Sequence, residues 1–240
     1  RGGELYWPLW TPDGQRIAFW WVNHGANDLV WQRAEDSAPA DALVRGEYIP
    51  SSWSPDGRRL ATVRDGDIWV VTTTNSQPTV DRLTETTDSE MWPEFSPDGR
   101  WLAYGSNTTG RFEIYVQPWP GPGPRVQLSL EGGESPAWNH SGRELFFASP
   151  PDADGRRRMM AVDVQSTPRL QIGQSRRLFD IPNPDPGFAC APVRCYDVSP
   201  DGQRFFVTQL STDPPKAPPV TQIRLIQGWL EEVKARLGGD

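Results

Sequence analysis

Four aspartates recur in one setting, and their type and spacing raise the first chemical possibility, a set of hard oxygen ligands. Asp13, Asp56, Asp98 and Asp201 each stand third in a Ser/Thr-Pro-Asp-Gly string. A calcium loop needs several oxygens converging from one short segment. These aspartates are instead spread along the chain, and a further copy, Asn139-His140-Ser141-Gly142, carries Ser in the acidic slot. Turn capping accounts for them better than metal. Catalysis by a base and a nucleophile fares no better. The only histidines are His24, in the polar loop 23–28, and His140, in a turn slot held elsewhere by Pro. Gly133-Glu134-Ser135-Pro136-Ala137 approaches a nucleophile elbow but lacks the final glycine. No phosphate-binding loop or dinucleotide fingerprint is present. Cys190 and Cys195 sit close enough for a short-loop disulfide, which would suggest an oxidising compartment, with two free thiols as the alternative. Zinc is not expected, because no further Cys or His stands nearby. The segment is therefore expected to be non-catalytic, with no metal and no cofactor.

What positions these residues is a repeated hairpin. In Ser96-Pro97-Asp98-Gly99, Pro97 pre-sets φ at the first corner, Asp98 can bond back to the backbone, and Gly99 supplies a φ > 0 residue. Alternating apolar and polar residues flank each copy, as a half-buried strand requires. The turn glycines Gly14, Gly57, Gly99, Gly142 and Gly202 fall at intervals of 43, 42, 43 and 60 residues. In the first interval the spacing predicts strands at 7–10, 16–20, 29–31 and 42–44, and in the second at 50–53, 59–63, 67–71 and 80–84. The third unit repeats them at 91–95, 101–105, 112–117 and 125–128, and the fourth begins with 136–138 and 144–148. The excess length of the last interval lies mainly in 180–194, a Pro- and Gly-rich insertion holding both cysteines. Strands at 195–198 and 204–208 follow, then one at 222–226 and a short helix at 229–237.

A period near 42 residues with about four strands per period is the spacing of propeller blades. The expected fold is all-β, a β-propeller of four-stranded blades with five units at about 1–46, 47–88, 89–131, 132–180 and 181–228, part of a ring of roughly six or more blades. Trp10, Trp53, Phe95 and Trp138, each just before its turn, are expected to fill the wedges between blades.

The bulk properties agree with a folded binding module. Hydrophobic residues make up 36% and charged residues 23% of the 240 positions. A net charge of −7 argues against nucleic acid as partner. The one dense basic run, Arg156-Arg157-Arg158, reads as a solvated loop tip. No apolar run approaches the roughly 18 residues of a membrane span. The chain opens at Arg1 rather than Met, which suggests a piece of a longer protein.

The units resemble the TolB-like propeller repeat: a Pro-x-Trp or Pro-x-Phe strand, Ser-Pro-Asp-Gly, a Leu-Ala or Ile-Ala strand, then a strand such as Asp67-Ile68-Trp69-Val70-Val71 or Glu113-Ile114-Tyr115-Val116. Such repeats occur in the Tol system, in propellers of prolyl-oligopeptidase-type peptidases and in sensor regions of bacterial membrane kinases. The tail Ile226-Gln227-Gly228-Trp229-Leu230-Glu231-Glu232-Val233-Lys234 is similar to the end of extracytoplasmic propellers on bacterial serine/threonine kinases, with Gly228 where Asn is expected. No kinase catalytic motif is present. The resemblance implies an extracytoplasmic sensor or scaffold, with a peptidase propeller or a Tol-type component as alternatives. Recognition would fall to loops at the channel mouth, where a protein, peptide or small ligand could be held. By position the candidates are Glu47 with Tyr48, Glu90 with Trp92, Glu134, and Arg194 with Tyr196. Their acidic bias would suit a basic peptide or a cation.

Overall fold

The computed structural model describes residues 3–207, apart from 24, 36–38, 75–76, 122, 167–168, 183–184, 186 and 189. Each Ser/Thr-Pro-Asp-Gly string closes a hairpin through one set of bonds. The Ser96 hydroxyl donates to Asp98 Oδ1 at 2.6 Å and accepts the Trp101 amide at 3.0 Å. Asp98 Oδ1 also accepts the Arg100 amide at 3.1 Å, and the Gly99 amide donates to the Ser96 carbonyl at 2.8 Å. Thr11, Ser54 and Ser199 repeat the hydroxyl's double role. The turn glycines all lie at φ between +67° and +71°, a region costly for residues with a Cβ. In the degenerate fourth turn Asn139 stands in the hydroxyl slot and its side chain accepts the Ser141 amide at 3.0 Å, while Ser141 Oγ takes the carboxylate's place and accepts the Arg143 amide at 3.3 Å.

These hairpins build four antiparallel four-stranded sheets and the start of a fifth. The first contains β1 (Glu4–Trp10), β2 (Arg16–Asn23), β3 (Ala26–Arg33) and β4 (Asp41–Arg45). The second contains β5 (Ile49–Trp53), β6 (Arg59–Arg64), β7 (Asp67–Thr72) and β8 (Thr79–Arg82). The third holds β9 (Glu90–Phe95), β10 (Trp101–Ser106), β11 (Glu113–Pro118) and β12 (Val126–Gln127). The fourth holds β13 (Glu134–Trp138), β14 (Glu144–Ala148), β15 (Arg158–Gln165) and β16 (Gln171–Asp180), and β17 (Tyr196–Val198) pairs with β18 (Phe205–Val207) in the fifth. The described residues are all-β, and the spacing argument holds within a few residues at each strand it located. The strand expected at 222–226 and the helix at 229–237 lie outside the described residues.

Within each sheet the strands follow chain order, and β1, β5, β9, β13 and β17 pack successively against one another. The sheets are joined by wedges of apolar residues. Trp53 packs with Ala18 and Leu29 of the first sheet, Phe95 with Ala61 and Ile68 of the second, and Trp138 with Ala103, Ile114 and Val116 of the third. Trp10 corrects the expectation for this position, being 49% exposed. The aromatic before each turn packs on the preceding sheet, and among the described residues no sheet precedes the first. Polar contacts join the sheets at the same level: Ser52 Oγ accepts the Phe95 amide at 3.0 Å, and Glu94 Oε1 accepts the Trp138 amide at 3.4 Å.

The turns also touch from sheet to sheet. A Cβ on Gly99 would lie 3.4 Å from Pro55, on Gly57 3.8 Å from Pro12, and on Gly142 3.9 Å from Pro97. Buried acids anchor the links between sheets. Asp67 accepts the Thr84 hydroxyl at 3.4 Å just past β8, and Glu113 accepts the Gly132 amide at 3.0 Å. The basic run departs from a solvated tip. Arg156 is exposed, but Arg157 is half-buried against Glu134 at 2.8 Å and Arg158 opens β15 with Asp152 at 2.9 Å. A carboxylate waits for each of those two guanidiniums.

Candidate functional site

The innermost strands carry a shared irregularity. Opposite β2, β10 and β14, the pairs Trp7-Pro8, Trp92-Pro93 and Ser135-Pro136 each break the ladder register. The residue before each proline takes positive φ: +50° at Trp7, +56° at Trp92 and +54° at Ser135. For a side chain such as Trp this backbone region costs on the order of 1–3 kcal/mol, and such strain gathers where function requires it. In β5 the register shifts at the same level, between Pro50 and Ser52. Bulges bend a strand and re-aim its side chains. The bulged segments line one funnel of about 480 Å³ where the innermost strands meet.

Prolines and aromatics make half of that wall: Pro8, Pro50, Pro93 and Pro136, with Trp7, Trp92, Tyr196 and Phe206. Its charge is concentrated on Glu94, Arg194 and Asp197. Arg194 Nε lies 3.3 Å from Glu94 Oε2, and its Nη1 donates to the Tyr196 carbonyl at 2.5 Å and lies 3.4 Å from Asp197 Oδ1. Burial pushes the Glu94 carboxyl up to about 7, with Arg194 opposing the rise. Burial likewise raises the Tyr196 phenol, whose hydroxyl donates to the Ser135 carbonyl at 2.7 Å. Asp197 is mostly exposed. With all three groups ionised the cluster carries one net negative charge.

One wall comes from the insertion of the fifth unit, closed by a disulfide between Cys190 and Cys195. Trp92 Nε1 and Ser135 Oγ both donate to the Cys190 carbonyl, the latter at 3.3 Å, and the Trp92 amide donates to the Pro192 carbonyl at 3.0 Å. The insertion is thereby tied to two of the positive-φ positions.

Of the residues singled out from the sequence, the funnel brings together Trp92, Arg194 and Tyr196. The others lie outside its lining. Glu90 is fully buried and accepts hydrogen bonds from Thr86 at 2.9 Å and Ser106 at 3.0 Å. Glu134 pairs with Arg157, and the buried Tyr48 hydroxyl accepts from Arg64 at 2.7 Å. Glu47 is exposed. Sequence reasoning missed Trp7, Glu94, Asp197 and the prolines. The Pro-x-Trp/Phe string was a usable signal, since its proline lines the funnel while the aromatic two residues on fills a wedge in the third and fourth sheets; in the second, Trp53 follows Pro50 by three residues. The aspartates of the turns serve the hairpins, and among the described residues no group of three or more His, Cys, Asp or Glu is placed to hold a metal ion. No helix among them is long and apolar enough to cross a membrane.

Comparison with known proteins places this geometry in context. Residues 4–187 match PD40, the TolB beta propeller domain. An uncharacterized protein of Agrobacterium fabrum is 32% identical over 124 residues, 46% of this chain and 42% of the relative. A Streptomyces coelicolor protein assigned as a tricorn protease homolog is 31% identical over 131 residues, 55% of this chain and 10% of the relative. The chain thus spans less than half the length of either curated relative. Among solved structures, a protein of Agrobacterium tumefaciens assigned as TolB aligns with a TM-score of 0.65 at 23% identity, over 84% of this chain and 73% of that one. TolB from Acinetobacter baumannii aligns with a TM-score of 0.63 at 19% identity, over 85% and 48%. An oligogalacturonate lyase in complex with manganese aligns with a TM-score of 0.56 at 14% identity, over 84% and 57%. At these identities the structures speak to fold alone.

Proposed function

This chain belongs to the TolB beta propeller domain family, and from that premise we propose that it is a non-catalytic recognition module whose funnel holds an extended segment of a partner protein. One observation carries the reading: strained backbone at Trp7, Trp92 and Ser135 accompanies a wall of prolines and aromatics around a part-buried charge cluster. Rigid aromatic and proline surfaces bind with little loss of side-chain freedom, and convergent polar groups fix orientation. Above about pH 7, where Glu94 is ionised beside Arg194 and Asp197, the cluster is net negative and favours a segment that offers a basic side chain. The preference inferred from Glu47, Glu90 and Glu134 is therefore assigned instead to Glu94 and Asp197.

The module acts in an extracytoplasmic compartment, a placement supported by the Cys190–Cys195 disulfide. Its role is that of a sensor or scaffold region in a larger bacterial protein such as a serine/threonine kinase. The tail that suggested the kinase link lies outside the described residues. A second reading, the propeller of a longer peptidase, is favoured by the match to the tricorn protease homolog.

The test is selection of a phage-displayed random peptide library on the full chain. Enriched peptides should contain Lys or Arg, and their affinity should fall by at least about tenfold, or ~1.4 kcal/mol, in Phe206→Ala and Asp197→Lys. Leu130→Ala, at an exposed site outside the funnel, should bind them unchanged. Equal binding by all three variants, or no enriched peptide, refutes the assignment.

A further inference from the structure

The disulfide stands in an unusual place for a fold staple. It joins cysteines only five positions apart, and a bridge across so short a loop restrains the unfolded chain less than one across a long loop. What it organises is local. Between its cysteines lie Pro192, whose carbonyl takes the Trp92 amide, and Arg194, the cation of the funnel. The Cys190 carbonyl itself receives Trp92 Nε1 and Ser135 Oγ. Cys195 lines the funnel and is partly exposed, which puts one end of the bridge in the cavity wall.

We propose that the Cys190–Cys195 disulfide is a thiol-exchange site in the funnel wall, and that its reduction releases the loop carrying Arg194 from Trp92 and Ser135. A dithiol supplies the chemistry. Its thiolate attacks Cys195 Sγ, the sulfur–sulfur bond breaks, and Cys190 leaves as a thiolate that takes up a proton. The second thiol of the dithiol then attacks the mixed disulfide and frees Cys195. Two electrons and two protons pass to the cysteines, and the dithiol becomes a disulfide. Without the bridge, Arg194 no longer has a fixed partner geometry with Glu94, and the funnel loses one wall.

The consequence for recognition rests on the funnel reading above, but the latch is measurable with no peptide present. The full chain is equilibrated in reduced and oxidised dithiothreitol, thiols are counted by mass after alkylation, and backbone hydrogen exchange is followed by peptide. Reduction should occur with the near-ultraviolet circular dichroism of the folded protein retained. It should accelerate exchange by about tenfold or more in the peptide spanning Glu90–Phe95, because local opening controls exchange there. The peptide spanning Arg59–Thr72, in the second sheet, should be unchanged, and reoxidation should restore the first rate. The double variant Cys190→Ser, Cys195→Ser should show the reduced pattern without reductant. If that variant fails to fold, the titration of the unaltered chain decides. The proposal is overturned if thiols appear only on unfolding, if Glu90–Phe95 is unaffected, or if exchange rises equally in every sheet. A chain that passes this test yet selects no peptides keeps the latch and loses the recognition reading.

Discussion

Glu94→Gln isolates the most perturbed carboxyl of the funnel. The side chain keeps its shape and can still accept the Trp138 amide, but it no longer titrates. In the folded protein the Glu94 carboxyl sits at about 7 against an ordinary value of 4.5. A raised folded value means that folding holds the proton more tightly. The contribution is fully present below the unfolded value and is lost as pH rises through the folded one. Between those values the unfolded chain has released its proton and the folded chain has not, so stability falls by about 1.4 kcal/mol per pH unit. Across the whole window this amounts to roughly 3 kcal/mol. Urea denaturation of both proteins at a series of pH values between 4 and 8.5 would measure it, with Arg194 and Asp197, the charged groups facing Glu94, common to both. The stability of the parent minus that of Glu94→Gln should decline by about 3 kcal/mol over the series, equivalent to a Tm difference on the order of 10 °C. A difference that stays flat refutes the burial argument for this carboxyl, whatever the absolute stabilities.

Gly99→Val should cost more than about 2 kcal/mol in chemical denaturation, since a β-branched residue must hold φ +67°. Gly14→Val should cost less, because a Cβ at Gly14 meets nothing within 4 Å whereas one at Gly99 meets Pro55; equal losses would show that contact to be immaterial. Ser52→Ala removes the acceptor of the Phe95 amide and should destabilise by about 1–3 kcal/mol, read as a shift of the urea midpoint with unchanged slope. Asp13, Asp56 and Asp201 are held below the usual carboxylate range first by the hydroxyls of Thr11, Ser54 and Ser199. At Asp98 burial opposes the fall and is outweighed chiefly by the Ser96 hydroxyl. Lowered folded values give stability present above the unfolded value and lost as pH falls through the folded one. Below the ordinary aspartate value of 3.8, the parent should therefore lose more stability than the double variant Ser54→Ala, Ser96→Ala, measured by acid titration of circular dichroism.

The hairpins were legible because their signal is local: Pro, Asp and Gly act within one turn, and copies at regular intervals removed the ambiguity. The wedge role of Trp53, Phe95 and Trp138 was legible for the same reason, whereas the exposure of Trp10 depends on what precedes it in space. The funnel was only partly readable. Trp92, Arg194 and Tyr196 were found from their position before innermost strands, but Glu90 and Glu134 occupy comparable positions and are consumed by Thr86, Ser106 and Arg157. Which acid stays near a cavity is decided by partners brought from elsewhere in the chain, and Glu94 meets Arg194 across 100 residues. The bulges escaped notice because positive φ at Trp or Ser has no signature in composition.

The sheet-to-sheet contacts of the turns have a consequence for how such a chain can grow. Each turn bears a projecting proline and a bare glycine, and the proline of one unit sits beside the glycine of the next. Knob and socket travel together in four residues, so a duplicated unit arrives already able to dock head to tail on its parent. Contacts of this heterologous kind impose no fixed number of copies by themselves. The fourth unit marks how far the rule stretches. Its proline is gone, and Asn139 takes up the place beside Gly202, a substitution at the junction where the regular spacing gives way to the disulfide-bearing insertion.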